Sequence, residues 1–328
     1  MFPGGRRFRK GRRRPLSVSA DKLTVPAFAK INLGLRVHGR RPDGYHEIST
    51  VFQTVSLRDT LTFRPARDAS LRLSCTDARI PADETNLVLR AASALRERFG
   101  VRRGARIELE KVIPAGGGLG GGSADAAVAL AALATLWELD TDAGELAELG
   151  ARLGADVPFF LTGGTAAGTG TGTDIEPLED APKMHLCVVT PDVHVSTAEA
   201  YKALGAPALT KDDTAANLFV SRAEAGFTDS LCGVTSNDFE AVVVRLHPEI
   251  GRAREALEEA GAAGASLSGS GASVYGVFES EGEAGRARAR LAAAGEGWQV
   301  FACETLTRAE YLAALGACAA VLRPVRGA

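Results

Sequence analysis

The chain has 328 residues, 45% of them apolar and 24% charged, with a formal net charge of −2. That length allows one large domain or two ordinary ones and a sizeable core. The near-neutral balance excludes an overall field that demands nucleic acid as partner, and the longest apolar run, roughly 124–137 and broken by Asp125, is too short to span a bilayer.

The first segment departs from that balance. Arg6, Arg7, Arg9, Lys10, Arg12, Arg13 and Arg14 face no acid before Asp21, so the arm carries +7 and the rest of the chain −9. Residues 1–20 read as a basic, disordered arm. No apolar stretch follows the arginines, so the arm does not read as a secretory leader; an RNA- or membrane-binding arm and an over-long start are its other readings.

Next, "LTVPAFAKINLGLRV" (23–37) alternates as a strand does, and "EISTVFQTVSLRDTLTF" (47–63) reads as a pair of strands. "NLVLRAASALRERFG" (86–100) has helical period and ends on Gly100, and "RIELEKVIP" (106–114) returns to strand. A helix capped by Ser123 and a second over 142–153 follow, then a Gly/Thr-rich loop with short strands at 162–174. From about 184 the pattern is a strand at "HLCVVTP", a helix capped by Ser196 or Thr197, and a polar stretch over 207–236 read as loop and short helix. One or two helices broken near Pro248 come next, then a strand-loop-strand at "ASLSGSGASVYGVF", a helix and a last strand at "WQVFACETL". That order suggests a split βαβ, ferredoxin-like unit. The five cysteines, 75, 187, 232, 303 and 318, have no metal-ligand spacing and read as buried thiols of a reduced, cytoplasmic chain.

Between strand and helix, residues 116–122 hold six glycines interrupted only by Leu119. Glycine is costly to order, so such a run has a use: bare backbone N–H groups at a helix start bind phosphate. A flexible linker has the same composition, but it rarely runs into a capped apolar helix. Walker A needs a Gly-Lys-Ser/Thr ending, and here Gly122-Ser123 lacks the lysine. A dinucleotide fingerprint lacks its acidic residue about 20 positions on.

The stretch from Pro114 through Ala115, Gly116, Gly117, Gly118, Leu119, Gly120, Gly121, Gly122 and Ser123 to Ala124 resembles the second motif of the GHMP small-molecule kinases. "PAFAKINLGL" (26–35) and "SLSGSGASVY" (266–275) are similar to their first and third, in the right order. "AKINLGLRVHGRRPDGYHEISTVFQTVSLRDTL" (29–61), "GADVPFF" (154–160) and "SNDFE" (236–240) resemble the branch that phosphorylates a cytidine-diphosphate-linked polyol on the way to isoprenoids. The resemblance spans roughly 23–305. It implies an α+β, two-domain GHMP kinase fold: a ribosomal-protein-like ATP-binding domain over 21–183 and a ferredoxin-like domain over 184–328. It implies ATP with Mg2+ and no resident metal or cofactor, no membrane or nucleic-acid partner, and a monomer or weak homodimer. The rivals are a homoserine- or mevalonate-type member of the family, and an RNA-binding protein using the basic arm.

By position alone Asp156 is a turn or N-cap aspartate, Lys30 a strand lysine, Lys111 a strand end, Asn86 a helix cap, Gly269 part of a hairpin, Tyr45 a strand aromatic and His46 a surface histidine. The resemblance gives them roles. Asp156 is the catalytic carboxylate and Lys30 its partner. Asn32, on the face of Lys30, holds the substrate hydroxyl or Asp156. Lys111, Asn86 and the run Pro114–Ala124 hold ATP. Tyr45 and His46, presented by the Asp43-Gly44 turn, take the cytosine with Tyr201 as a second face, and Thr197, Gly269 and the 168–173 loop contact the rest of the substrate. Carboxylic acids ionise near ~4 and alcohols near ~15. Asp156 therefore cannot pre-form an alkoxide, and a loose phosphoryl-transfer transition state does not need one. Two departures stand out: glycines at 121 and 122 where serine is frequent, and Ala124-Asp125 where a Ser/Ala-Asn pair is commoner, leaving the orientation of Asp125 open. His38, His185, His194 and His247 read as structural or surface residues.

Overall fold

The computed structural model describes residues 22–208 and 236–322. The basic arm, Cys232, nearly all of the polar stretch 207–236 and the segment after 322 lie outside the described residues.

A long antiparallel hairpin organises the first sheet. Strand β1 (Leu23–Arg40) runs beside β2 (His46–Ala66), from Leu23 opposite Phe63 to Arg40 opposite His46, with register shifts near Lys30 and Asn32. The turn between them is the Asp-Gly turn read from sequence: Gly44 has φ +89° and the Asp43 carboxylate accepts from the Tyr45 N–H at 3.0 Å. The other edge of β2 is shared. Strand β4 (Gly104–Glu110) pairs with its second half and β5 (Thr165–Thr169) with its first. Strand β3 (Leu71–Cys75) lies parallel to β4, and β6 (Asp174–Pro177) antiparallel to β5. The expected strand pair over 47–63 is thus one strand. Asp59, a charge within it, is buried and accepts the N–H groups of Val112 and Ile113 at 2.6 and 2.8 Å.

Four helices cover this sheet: α1 (Leu87–Phe99), α2 (Gly121–Leu136), α3 (Ala143–Leu153) and α4 (Val157–Thr162). Asn86 caps α1 and Asp142 caps α3 through their side chains. Helix α2 is buried on almost every side, which suits its alanine-rich sequence: small side chains let α1, α3, α4 and the sheet approach together. It starts at Gly121 behind Gly120, two residues before the expected cap at Ser123, because Gly120 takes the left-handed conformation that turns the chain into the helix.

The second sheet contains β7 (His185–Thr190), β8 (Gly264–Leu267), β9 (Val274–Phe278) and β10 (Gln299–Glu304) in the order β10-β7-β9-β8, all antiparallel. With α5 (Thr197–Leu204), α6 (Glu240–Leu246), α7 (Pro248–Glu259) and α8 (Glu281–Ala292) this is the ferredoxin-like arrangement expected from sequence. A core of Ile31, Leu33, Val51, Leu119, Val188 and Tyr275 joins the two sheets. The chain then returns: α9 (Arg308–Ala314) and a 3₁₀ segment (Gly316–Leu322), which lie within the 184–328 expected to form the second domain, put Tyr311, Leu315 and Cys318 into the core of the first sheet. Cys187 and Cys318 are buried, whereas Cys75 and Cys303, expected to be buried, are only partly so. Among the described residues no helix is long and apolar enough to cross a membrane.

Candidate active site

The three glycine- or serine-bearing motifs meet at one place. The backbone N–H of Lys30 donates to Leu119 O at 3.0 Å, tying β1 to the glycine loop. On the loop's other side, Ser273 N donates to Gly117 O and Ser268 Oγ to Gly118 O, both at 3.0 Å, and the Tyr275 hydroxyl donates to Asn32 O at 2.9 Å. The glycines are needed for this closeness. Gly118 has φ +76° and a Cβ there would overlap the Ser268 carbonyl, while one on Gly120 would lie 2.6 Å from the Phe160 ring. Helix α2 begins behind Gly120 without a side-chain cap, so among the described residues no capping side chain claims its first N–H groups.

Asp156 precedes α4 at its N-cap position but makes no capping bond, so its carboxylate is free for other work. It lies 3.8 Å from Lys30 Nζ, with side-chain exposures of 33% for the aspartate and 4% for the lysine. The lysine is held from behind: Nζ donates to Asn32 Oδ1 at 2.6 Å, Asn32 Nδ2 donates to Thr50 Oγ1 at 2.7 Å, and Thr50 Oγ1 donates to Gly34 O at 2.7 Å. Both ends of the Asn32 amide are therefore committed to Lys30 and Thr50 rather than to Asp156. Burial lowers the pKa of Lys30 below the ordinary lysine value, and the Asp156 charge offsets only part of that.

One cleft of about 1310 Å³ holds nearly all the candidate residues: Lys30, Asn32, Tyr45, His46, Asn86, Lys111, Asp156, Thr197, Tyr201, Gly269 and the loop from Pro114 to Ser123. Leu119 and Ala124 are the exceptions; their side chains enter the core, leaving only backbone for a ligand. Asn86 also serves as the α1 cap, accepting from Val88 N at 2.9 Å and donating to Pro81 O at 2.6 Å. Lys111 is tucked inward, its ammonium donating to Asp59 and, at 3.1 Å, to Asp125. Burial alone would lower its pKa; the two carboxylates more than reverse that and hold it above the usual value.

The other end of the cleft is aromatic. His46 stacks on Tyr201 with ring centroids 4.3 Å apart and planes 14° from parallel, and Tyr201 meets Phe239 edge-on at 4.8 Å. The imidazole pKa is lowered by burial and by nearby Arg40, while burial and the Asp156 charge push the Tyr201 phenol up to about 12. Tyr45 stands 67% exposed on the turn. Thr197 Oγ1 and Ser270 Oγ lie 2.9 Å apart, joining the start of α5 to the third motif.

Sequence reasoning missed several supports. Asn237 donates to Leu267 O and Gly269 O at 2.9 and 2.7 Å, which fixes the loop bearing Gly269, and Asp238 anchors β1 through Arg36 and Val37 N, both at 2.9 Å. The "SNDFE" stretch signalled them. His194, read as structural or surface, lines the cleft beside Gly116, and nothing in its spacing marked it.

A donor-rich loop opposite a lysine-backed carboxylate, between two packed sheets, defines a small-molecule kinase. Residues 86–164 match the model of the GHMP kinases N terminal domain, and residues 220–297 that of the GHMP kinases C terminal. A 4-diphosphocytidyl-2-C-methyl-D-erythritol kinase of Prosthecochloris aestuarii is 43% identical over 274 residues, 83% of this chain and 95% of that protein. One of Pelotomaculum thermopropionicum is 44% identical over 255 residues, covering 78% and 88%. The crystal structure of a 4-(cytidine 5'-diphospho)-2C-methyl-D-erythritol kinase superposes with a TM-score of 0.71 at 36% identity, covering 86% of this chain and 99% of that one. A homoserine kinase from Cytophaga hutchinsonii shares the fold, with a TM-score of 0.70 at 22% identity. The chain belongs to the GHMP kinase family, in the branch of the 4-diphosphocytidyl-2-C-methyl-D-erythritol kinases.

Proposed function

We propose that the chain transfers the γ-phosphoryl group of ATP to the 2-hydroxyl of 4-diphosphocytidyl-2-C-methyl-D-erythritol, giving ADP and the 2-phosphate, a step toward isoprenoid precursors. The observation that carries this reading is the placement of Lys30 and Asp156 between the glycine loop and the His46–Tyr201 stack in one cleft. The loop amides and the start of α2 take the polyphosphate, with Mg2+ entering as part of the ATP substrate. Asp156 orients the acceptor hydroxyl and receives its proton late, as bonding to phosphorus develops. Lys30 holds Asp156 in place and offsets charge near the transferred group; Asn32 and Thr50 set the lysine's direction. At the far end, the cytosine lies against the His46–Tyr201 stack, Tyr45 folds over from the turn, and Thr197 and Gly269 border the diphosphate.

The relatives' names favour this reading over a homoserine- or mevalonate-type substrate and over an RNA-binding protein. We assign residues 21–183 to the ATP-binding domain and 184–307 to the ferredoxin-like domain, with the returning segment 308–322 packed on the first. A cytoplasmic monomer or weak homodimer completes the proposal. The test is ADP release from MgATP with the cytidyl substrate, homoserine or mevalonate as acceptor. Turnover with the cytidyl alcohol alone supports the assignment; turnover with another acceptor alone removes the cytidine site, and none with any of them removes the reaction.

A further inference from the structure

Under the first turn of α2 lie three charges to which phosphoryl transfer assigns no task as a group. Asp59 of β2, Lys111 just beyond β4 and Asp125 of α2 have side-chain exposures of 0, 6 and 4%. Asp59 is fully engaged, one oxygen accepting from Val112 N and Ile113 N and the other from the Lys111 ammonium. Asp125 is not. Its Oδ2 accepts from Lys111 at 3.1 Å, while its Oδ1 is sealed from solvent without a partner among the described residues. Gly121, one helical turn before Asp125, admits the ammonium, since a Cβ there would lie 2.8 Å from Lys111 Nζ.

Two ionised carboxylates against one ammonium leave a net negative charge in a low-dielectric pocket. Lys111 and Asp125 also line the cleft in which the nucleotide is placed above, so an anionic polyphosphate adds like charge to that excess. Among the described residues, the ionisable groups acting on Asp125 are Lys111 and Asp59, and Asp77, beyond β3, feels Lys111 from farther away. The first turn of α1, alongside, carries no acid. Burial pushes the Asp125 carboxyl up to about 7, with Lys111 opposing and Asp59 adding to the rise.

We propose that Asp125 is a positioning residue that takes up a proton from solvent as an anionic nucleotide settles on the glycine loop, so that the buried trio becomes neutral and Lys111 keeps its place beneath α2. This rests on the nucleotide site proposed above and adds a linkage to it: the proton is released when the nucleotide leaves.

The test is calorimetric titration of MgADP into the full chain at pH 7.5, in two buffers of different protonation enthalpy. The wild type takes up about half a proton per nucleotide, and its Kd weakens roughly three- to tenfold between pH 6.5 and 8.5. Asp125→Asn, which mimics the neutral carboxyl, takes up none and binds equally well across that range. A merely structural Asp125 predicts instead that the variant binds more weakly at every pH. Proton uptake undiminished in Asp125→Asn overturns the proposal. So does MgADP binding by the wild type without uptake, a measurement that needs no variant to fold. Failure of the folded wild type to bind MgADP at all removes the nucleotide site itself, and the linkage with it.

Discussion

At the phosphoryl end of the cleft Lys30 is buried, hydrogen-bonded to Asn32 and pinned through its backbone to Leu119, and the loop it touches is bonded again to Ser268 and Ser273. At the aromatic end Tyr45 stands in solvent on a five-residue turn, and His46 and Tyr201 hold each other by stacking. The contrast follows from what each end must do. Phosphoryl transfer tolerates little displacement of the groups around the reacting atoms, so several independent bonds fix each group. A base recognised through its π-face tolerates sliding, and a stack can open to admit it.

The largest expected effect is at the rigid end. Asp156→Asn lowers kcat by about 10²- to 10⁴-fold while the KM for MgATP changes little, as steady-state kinetics with ATP varied will show. An unchanged kcat would remove Asp156 from the chemistry. Gly118→Ala comes next. Its Cβ meets the Ser268 carbonyl at a left-handed backbone position, costing about 1–3 kcal/mol from strain alone, so thermal unfolding shifts down by several degrees and nucleotide binding weakens. At the adaptable end, Tyr45→Ala and His46→Ala raise the KM for the cytidyl substrate by about ten- to a hundredfold, roughly the worth of one stacked base, with kcat altered far less. A loss confined to kcat would instead make that end as rigid as the other. The smallest effect is in pH dependence. Burial lowers the pKa of Lys30, so its ammonium deprotonates in the folded protein at a pH where an unfolded chain still holds the proton. The alkaline limb of kcat should therefore fall below pH 10.5, and Lys30→Arg, always protonated, should flatten it in whatever activity remains.

Much of this was legible in sequence because it rests on local rules. Period-two alternation puts Lys30 and Asn32 on one face, and they are bonded there. The strand readings at "HLCVVTP", "ASLSGSGASVYGVF" and "WQVFACETL" fall on the four strands of the second sheet. What sequence hid is long-range compensation. The stretch 47–63 reads as two strands rather than one, and the buried Asp59 within it finds its partners, Lys111, Val112 and Ile113, more than fifty residues later. Ser123 looks like the natural cap of α2, yet the glycine at 120 starts the helix early. His194 joins the cleft only through the approach of β7's following loop to Gly116, which no spacing predicts.

The returning segment has a consequence for how the molecule is made. Tyr311 fills the space over Gly163, donates its hydroxyl to Phe160 O and stays 1% exposed, and Arg308 ties the same region by donating to Thr165 O at 2.6 Å. Tyr311 and Phe160 are 151 positions apart. At about 5–20 residues per second of translation, roughly 8 to 30 s separate the synthesis of Phe160 from that of Tyr311, and the groove stays uncovered until then. The intervening sheet must be synthesised first, so the earlier domain to emerge is among the last to close.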